Sequence, residues 1–234
     1  METKQAQRIQ TSLLSAPEKR VLVYLAERQP RWMTSDGLTF IGSFGAFLFA
    51  LGFILSTRDV HWLWLSSFGM IVNWYGDSLD GTLARVRNRQ RPRYGYYLDH
   101  TVDCINEGMM LVGVGLSGWM HLELALLALI LYLFMTINVS INAHLKSEFK
   151  ISYGKLGPTE FRILVITADT LLIMMPGIQH LSWTSQIFGR DFSATAFDMF
   201  AGVVIVVLGI IFIATVIFDA KYYASLEPLK DKEE

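Results

Sequence analysis

The chain has 234 residues, of which 52% are apolar, 13% aromatic and only 18% charged, with a formal net charge of −1 and a mean hydropathy of +0.36. That balance excludes intrinsic disorder, which needs little apolar material and much charge. A single cysteine, Cys104, excludes a disulfide framework, and the near-zero charge excludes a polyanion binder, so no nucleic-acid partner is expected. An unusually apolar globular protein and a membrane protein remain, and the placement of the charges decides between them.

The first 30 residues are polar and carry no hydrophobic leader segment, so no cleavable signal peptide is expected. Within residues 16–32, Val21, Leu22, Leu25 and Trp32 alternate with Lys19, Arg20, Arg28 and Arg31. The pattern suits a basic amphipathic helix on an anionic membrane surface, with a short solvated helix as the alternative. Six apolar runs follow, near the ~20 residues that cross a hydrocarbon layer. Residues 37–57 and 199–218 have no charge, and 59–76 is apolar after Asp59. Residues 104–120 carry Glu107, 124–145 follow Glu123 and end near His144, and 161–178 contain Arg162 and Asp169. The second and third runs are expected to extend as helices beyond their apolar parts. With no strand-period alternation, the expected fold class is an all-α integral membrane protein of six transmembrane helices behind an N-terminal amphipathic surface helix. Residues 1–34 form the juxtamembrane segment, 35–224 the membrane catalytic domain and 225–234 a charged tail.

Lysine and arginine alternate from one connection to the next. The N-terminal segment has Lys4, Arg8, Lys19, Arg20, Arg28 and Arg31; the second connection has Arg85, Arg87, Arg89, Arg91 and Arg93; the fourth has Lys146, Lys150 and Lys155; the tail has Lys221, Lys230 and Lys232. The remaining connections have Arg58, none and Arg190. The positive-inside bias predicts both termini on the cytoplasmic side of the cell inner or plasma membrane.

Ionisable groups at membrane depth are costly and mark function. Here Asp77 and Asp80 lie three residues apart and Asp99 and Asp103 four apart, so each pair shares a helical face. Ala84 returns to the face of Asp80 and Asn106 to that of Asp99. Two helices joined by an arginine-rich turn thereby present four carboxylates to each other. Such a set needs cations, and hard oxygen ligands suit Mg²⁺, Mn²⁺ or Ca²⁺. Four negative charges match two divalent ions, a recurring device for in-line displacement at phosphorus. Gly81 and Gly95 leave room for a pyrophosphate to approach the backbone, and Arg85 is placed to pair with phosphate oxygens. The competing readings are helix-end caps and a metal-ion or proton-coupled transporter, although transporters show repeated halves.

At these residues the chain resembles the CDP-alcohol phosphotransferases, whose signature is D-x-x-D-G-x-x-A-R, eight or nine residues, then G-x-x-x-D-x-x-x-D. Asp77, Asp80, Gly81, Ala84, Arg85, Gly95, Asp99 and Asp103 match every fixed position. The resemblance implies a membrane-embedded homodimer with a cytoplasmic site. It would move a substituted phosphoryl group from a CDP-alcohol (CDP-diacylglycerol, CDP-choline or CDP-ethanolamine) to a lipid or polar-alcohol hydroxyl, with CMP released. It further implies two Mg²⁺ or Mn²⁺ ions, bridged by Asp77 and Asp99 and completed by Asp80 and Asp103, with Asp103 as general base. Gly81, Ala84, Arg85 and Gly95 would meet the CDP moiety.

Acceptor candidates are fewer. The Asp99-His100 pairing resembles the choline and ethanolamine enzymes, whereas the short chain resembles bacterial and archaeal members, many of which use CDP-diacylglycerol. His100 is otherwise a packing residue. Lys155, Glu160 and Arg162 suit an anionic acceptor or simple membrane anchoring. Asn106 and Glu107 are expected inward. Asn138, Asn142 and His144 line the cavity or join helix packing, and Gly42, Gly45 and Gly52 permit close helix contact in a dimer or within the bundle.

Overall fold

The computed structural model describes residues 7–9, 14–146, 148–150, 157–187 and 190–227. Helix α1 (Ser15–Glu27) precedes α2 (Ser35–Leu55), then a single 3-10 turn (Val60–Trp62), α3 (Leu63–Val86), α4 (Pro92–Leu116) and α5 (Leu122–Lys146). Helix α6 (Pro158–Met174), the one-turn α7 (Pro176–Gln179) and α8 (Ala196–Leu226) complete the bundle. All six long apolar runs are thus helical. As expected, α3 and α4 run on through the charged flanks that carry the acids. Their boundaries have local causes. The Thr34 hydroxyl accepts from the Gly37 amide at 3.0 Å and starts α2. Proline opens α4 and α6, where a missing N–H costs nothing. Thr195 and Asp198 form a reciprocal cap on α8.

Strand structure, absent from the expectation, is present in small amounts. Strand β1 (Gln7–Ile9) pairs in parallel with β2 (Glu148–Lys150), and β3 (Ser182–Ile187) pairs antiparallel with β4 (Arg190–Thr195). The second is a hairpin between α7 and α8. Its strands are too short and too polar for alternation to stand out from a loop.

Among the described residues, three helices are long and apolar enough to cross a membrane by length and composition: α2, α5 and α8, with mean hydropathies of 2.2, 2.4 and 3.1. Helices α5 and α8 expose Ile130, Phe134, Ile137, Val203, Val206 and Ile210. Apolar surface of that extent suits lipid rather than water. The molecule is an all-α membrane protein.

The tightest packing is between α2 and α3. Gly76 lies on Gly42, Gly45 on the backbone of Gly69 and Asn73, and Gly52 on Ser66; a Cβ on Gly76, Gly45 or Gly52 would collide with the facing backbone, and one on Gly42 would press on the Asp77 amide nitrogen at 3.1 Å. Gly42, Gly45 and Gly52 therefore serve packing within the bundle. Phe49, Phe53, Leu63, Met70, Val114 and Leu172 fill the centre. A second cluster seats α1, whose Leu22 and Ala26 are buried against Leu38, Leu79 and Leu83. The far end is tied by Asp198, which accepts from the His121 amide at 2.7 Å, and by the Trp119 indole, which donates to Ser56 at 2.7 Å. At the opposite end Asn142 donates to Asp219 at 2.8 Å and accepts from Tyr223 at 2.8 Å. Asn138 and Asn142 thus belong to α5–α8 packing. Cys104 is a free, half-buried thiol.

Candidate active site

Helices α3 and α4 converge where their acids lie. Asp77, Asp99 and Asp103 each bring a carboxylate oxygen into one group whose atoms all lie within 4.8 Å of one another. Asp80 and Asn106 line the same cleft, and Thr39 and Gly42 of α2 form its opposite wall. Gly42 lies against Gly76 of α3, so the α2–α3 contact that holds the bundle also brings this wall to the acids.

Asp80 stands apart from the other three. Its Oδ2 accepts from the Thr39 hydroxyl at 2.7 Å and its Oδ1 from the Gly81 amide at 2.5 Å. The Ser35 hydroxyl donates to the Asp80 carbonyl. Helix α2 thereby holds both the backbone and the side chain of this residue, whose carboxylate is not one of the three grouped within 4.8 Å. Asp99, whose side chain is 46% exposed, sits at the mouth. Asp103 and the buried Asn106 lie deeper.

Charge in the triad is balanced from α6. Arg162 Nη2 donates to Asp77 Oδ2 at 2.6 Å and to Asn73 Oδ1 at 3.0 Å, and its side chain is only 16% exposed. One guanidinium cannot neutralise three carboxylates in a low-dielectric cleft. The hard-oxygen donor set and its spacing fit divalent cations, with Asp77, Asp99 and Asp103 as the residues able to hold them.

The remaining candidates are distributed as follows. Arg85 is exposed at the end of α3 and donates to Thr82 at 2.9 Å. A Cβ on Gly81 would meet nothing closer than Arg85 Nη1 at 3.4 Å, and one on Gly95 would meet nothing within 4 Å. Space over both glycines is open, and Ala84 beside them is half-buried. His100 stacks on Tyr96 at 4.1 Å between ring centroids, its Nδ1 is 3.0 Å from the Tyr96 carbonyl, and it lies 3.8 Å from Asp99. Its ring is engaged with its own helix. Glu107 faces the Tyr132 phenol of α5. Glu107 Oε2 and Asn106 Oδ1 are buried without a hydrogen-bond partner among the described residues. Lys155 lies outside the described residues.

Sequence reasoning missed Thr39, Asn73 and Tyr132. Asn73 carried a usable signal: a polar residue one turn before Asp77, on the same face, inside an otherwise apolar run. Thr39 had none beyond its polarity, and Tyr132 reads as an ordinary lipid-facing aromatic.

The turn between α3 and α4 is held to the N-terminal side of α2. Arg91 donates to both oxygens of Asp36 at 2.7–2.8 Å and lies over the Tyr94 ring. Arg87 donates to the carbonyls of Gln29, Pro30 and Met33. These two arginines are structural clasps.

A sequence model of the CDP-alcohol phosphatidyltransferase family matches residues 30–218. The chain belongs to this family. It is also similar to a phosphatidylinositol phosphate synthase of Cutibacterium acnes, with 36% identity over 84 residues, which covers 36% of this chain and 38% of that relative's length. The description of that family names a CDP-alcohol phosphatidyltransferase, and the apolar helices of this chain suit a membrane protein. The matched region contains all three triad acids, Asp80, Arg162 and the α2 wall.

Proposed function

We propose that the protein transfers a phosphatidyl group from CDP-diacylglycerol to a hydroxyl of a phosphorylated polyol and releases CMP. The observation that carries this reading is the convergence of Asp77, Asp99 and Asp103 within 4.8 Å in a cleft open at one end. The polyol phosphate is supported by Arg162 beside the triad and by the relative that is a phosphatidylinositol phosphate synthase.

Two divalent cations, Mg²⁺ or Mn²⁺, would supply charge neutralisation at the phosphorus when bound. Asp77, Asp99, Asp80 and Asp103 are the residues that would hold them. Thr39 and the Gly81 amide preset Asp80 for that task. Asp103 takes the proton of the acceptor hydroxyl. The acceptor oxygen forms its bond to the phosphorus farther from cytidine, and the bond from that phosphorus to the CMP oxygen breaks in line. Gly81 and Gly95 leave the backbone open to the pyrophosphate, and Arg85 pairs with its oxygens.

The same reading includes a six-span homodimer with both termini and the cleft cytoplasmic, and with α1 at the membrane surface. Helices α3, α4 and α6 fall short of a purely apolar span because they carry the site, and lysine and arginine alternation supplies the orientation. The decisive experiment offers purified protein CDP-diacylglycerol with inositol 1-phosphate, inositol, glycerol 3-phosphate or serine, with Mg²⁺ or Mn²⁺. CMP release together with a phosphatidylinositol phosphate product is the expected result. No CMP with any of these acceptors, nor from CDP-choline or CDP-ethanolamine with diacylglycerol, together with ion uptake in sealed vesicles, would establish a transporter instead.

A further inference from the structure

Polar contacts cross the α3–α6 seam at two levels. At the cleft, Arg162 donates to Asp77 and Asn73. Deeper in the bundle, the Ser67 hydroxyl donates to Asp169 Oδ2 at 3.1 Å, and Ser66 lies against the same carboxyl group. Asp169 follows Arg162 by seven residues and Ser66 precedes Asn73 by seven, on helices that pass in opposite directions. Seven residues are close to two helical turns, so both levels fall on one stripe of each helix.

Asp169 is 0% exposed and touches no part of the acid cleft. A carboxyl group at membrane depth is costly, and catalysis as derived above does not use this one. Its Oδ1 and the Ser66 hydroxyl oxygen are both buried without a hydrogen-bond partner among the described residues. A leucine would close the seam at lower cost. What a hydrogen-bonded polar group adds is register, because an apolar contact tolerates sliding and rotation whereas a directed bond does not. Register matters here because α6 lacks the glycine interlock that fixes α2 on α3, and because its one essential delivery is the Arg162 guanidinium.

We propose that Asp169 is a positioning residue: held by Ser67, it sets the rotation and axial position of α6 that bring Arg162 onto Asp77. The turnover arm of its test rests on the transferase reading above, whereas the metal-binding arm does not.

The test is a double-mutant cycle on full-length protein in nanodiscs, read by Mn²⁺ titration with electron paramagnetic resonance and by CMP release. Arg162→Gln and Asp169→Leu are each expected to weaken Mn²⁺ binding about tenfold, the lower range for losing a partner that orients a metal ligand. The double variant should be no weaker than Arg162→Gln alone, because both changes remove the same contact. Asp169→Asn, whose amide accepts from Ser67 and donates towards Ser66, should keep Mn²⁺ affinity and kcat within about twofold. Losses that multiply in the double variant, or wild-type Mn²⁺ affinity in Asp169→Leu, would overturn the proposal. If Asp169→Leu does not fold, Ser67→Ala takes its place in the cycle with the same expectation of non-additivity. Wild-type protein that binds Mn²⁺ but releases no CMP would sink the transferase reading, and the Mn²⁺ cycle alone would then decide the role of Asp169.

Discussion

Helix α3 is flanked by two seams built on opposite principles. Towards α2 it presents Gly69 and Gly76, where the two backbones touch, and the Asn73 amide donates across the contact to the Gly42 carbonyl at 3.1 Å. Towards α6 it presents Ser66, Ser67, Asn73 and Asp77, and the contact runs through directed polar bonds. The first seam has one geometry because sterics allow no other. The second has one geometry only while its bonds persist. A scaffold and an adjustable charge carrier thus share a single helix, and the reacting groups lie where the two seams meet.

The glycine seam should break most completely. Gly76→Leu places a side chain into the Gly42 backbone, and overpacking of this kind costs about 1–3 kcal/mol or more. No monodisperse protein is expected by size-exclusion chromatography. Gly95→Ala, which meets open space, should leave the melting temperature unchanged. If both variants behave alike, the seam is not what holds the bundle.

Next in size is the triad that the rigid seam supports. Asp77→Asn should abolish Mn²⁺ binding and lower CMP release about a hundredfold or more, the scale of losing a principal electrostatic group, while the far-UV spectrum stays unchanged. Full turnover in Asp103→Asn with Mn²⁺ still bound would remove Asp103 as the base.

A smaller effect is expected at the polar seam. Arg162→Lys keeps the charge but loses the fork that reaches Asp77 and Asn73 together. Mn²⁺ affinity should fall by less than the tenfold expected for Arg162→Gln, with the melting temperature within about 2 °C of wild type.

The smallest effect belongs to the exposed Arg91–Asp36 pair. Its side chains are 57% and 45% exposed, and surface pairs of this kind contribute little. Asp36→Asn should not measurably shift the melting temperature at moderate salt. A clear drop would mean that the α3–α4 turn depends on this clasp more than on Arg87.

The helices and the four acids were legible in the sequence because both rest on local rules: apolar run length for the helices, and helical period for Asp77, Asp80, Asp99 and Asp103. The division of those acids into a triad and a separately held Asp80 was not legible, since it depends on Thr39 arriving from α2. Arg162 was visible as a cation near a helix start, but its pairing with Asp77 joins residues 85 positions apart. No spacing rule spans that distance. Asp169 was visible as an acid in an apolar run and acquires a meaning only from the serines opposite. The glycines were read correctly as contact points, yet their partner was open between a second copy and the chain itself until α3 was seen to lie on them. The hairpin of β3 and β4 escaped because its hydrogen bonds form between backbones, to which side-chain patterning is blind.

Helix α1 is made before the helices that enclose it, and part of its surroundings comes from far along the chain. Glu18 accepts from Trp74 on α3 at 2.8 Å and from Thr159 on α6 at 2.6 Å, and the Leu14 amide donates to Glu160 at 2.8 Å. Glu18 and Thr159 are 141 residues apart. At synthesis rates of about 5–20 residues per second, α1 waits roughly 7–28 seconds for its last partner. During that interval its apolar face, Leu22 and Ala26 included, is left to other partners until α2 and α3 are in place. A chain interrupted before α6 would therefore leave α1 without part of the polar surroundings that hold it.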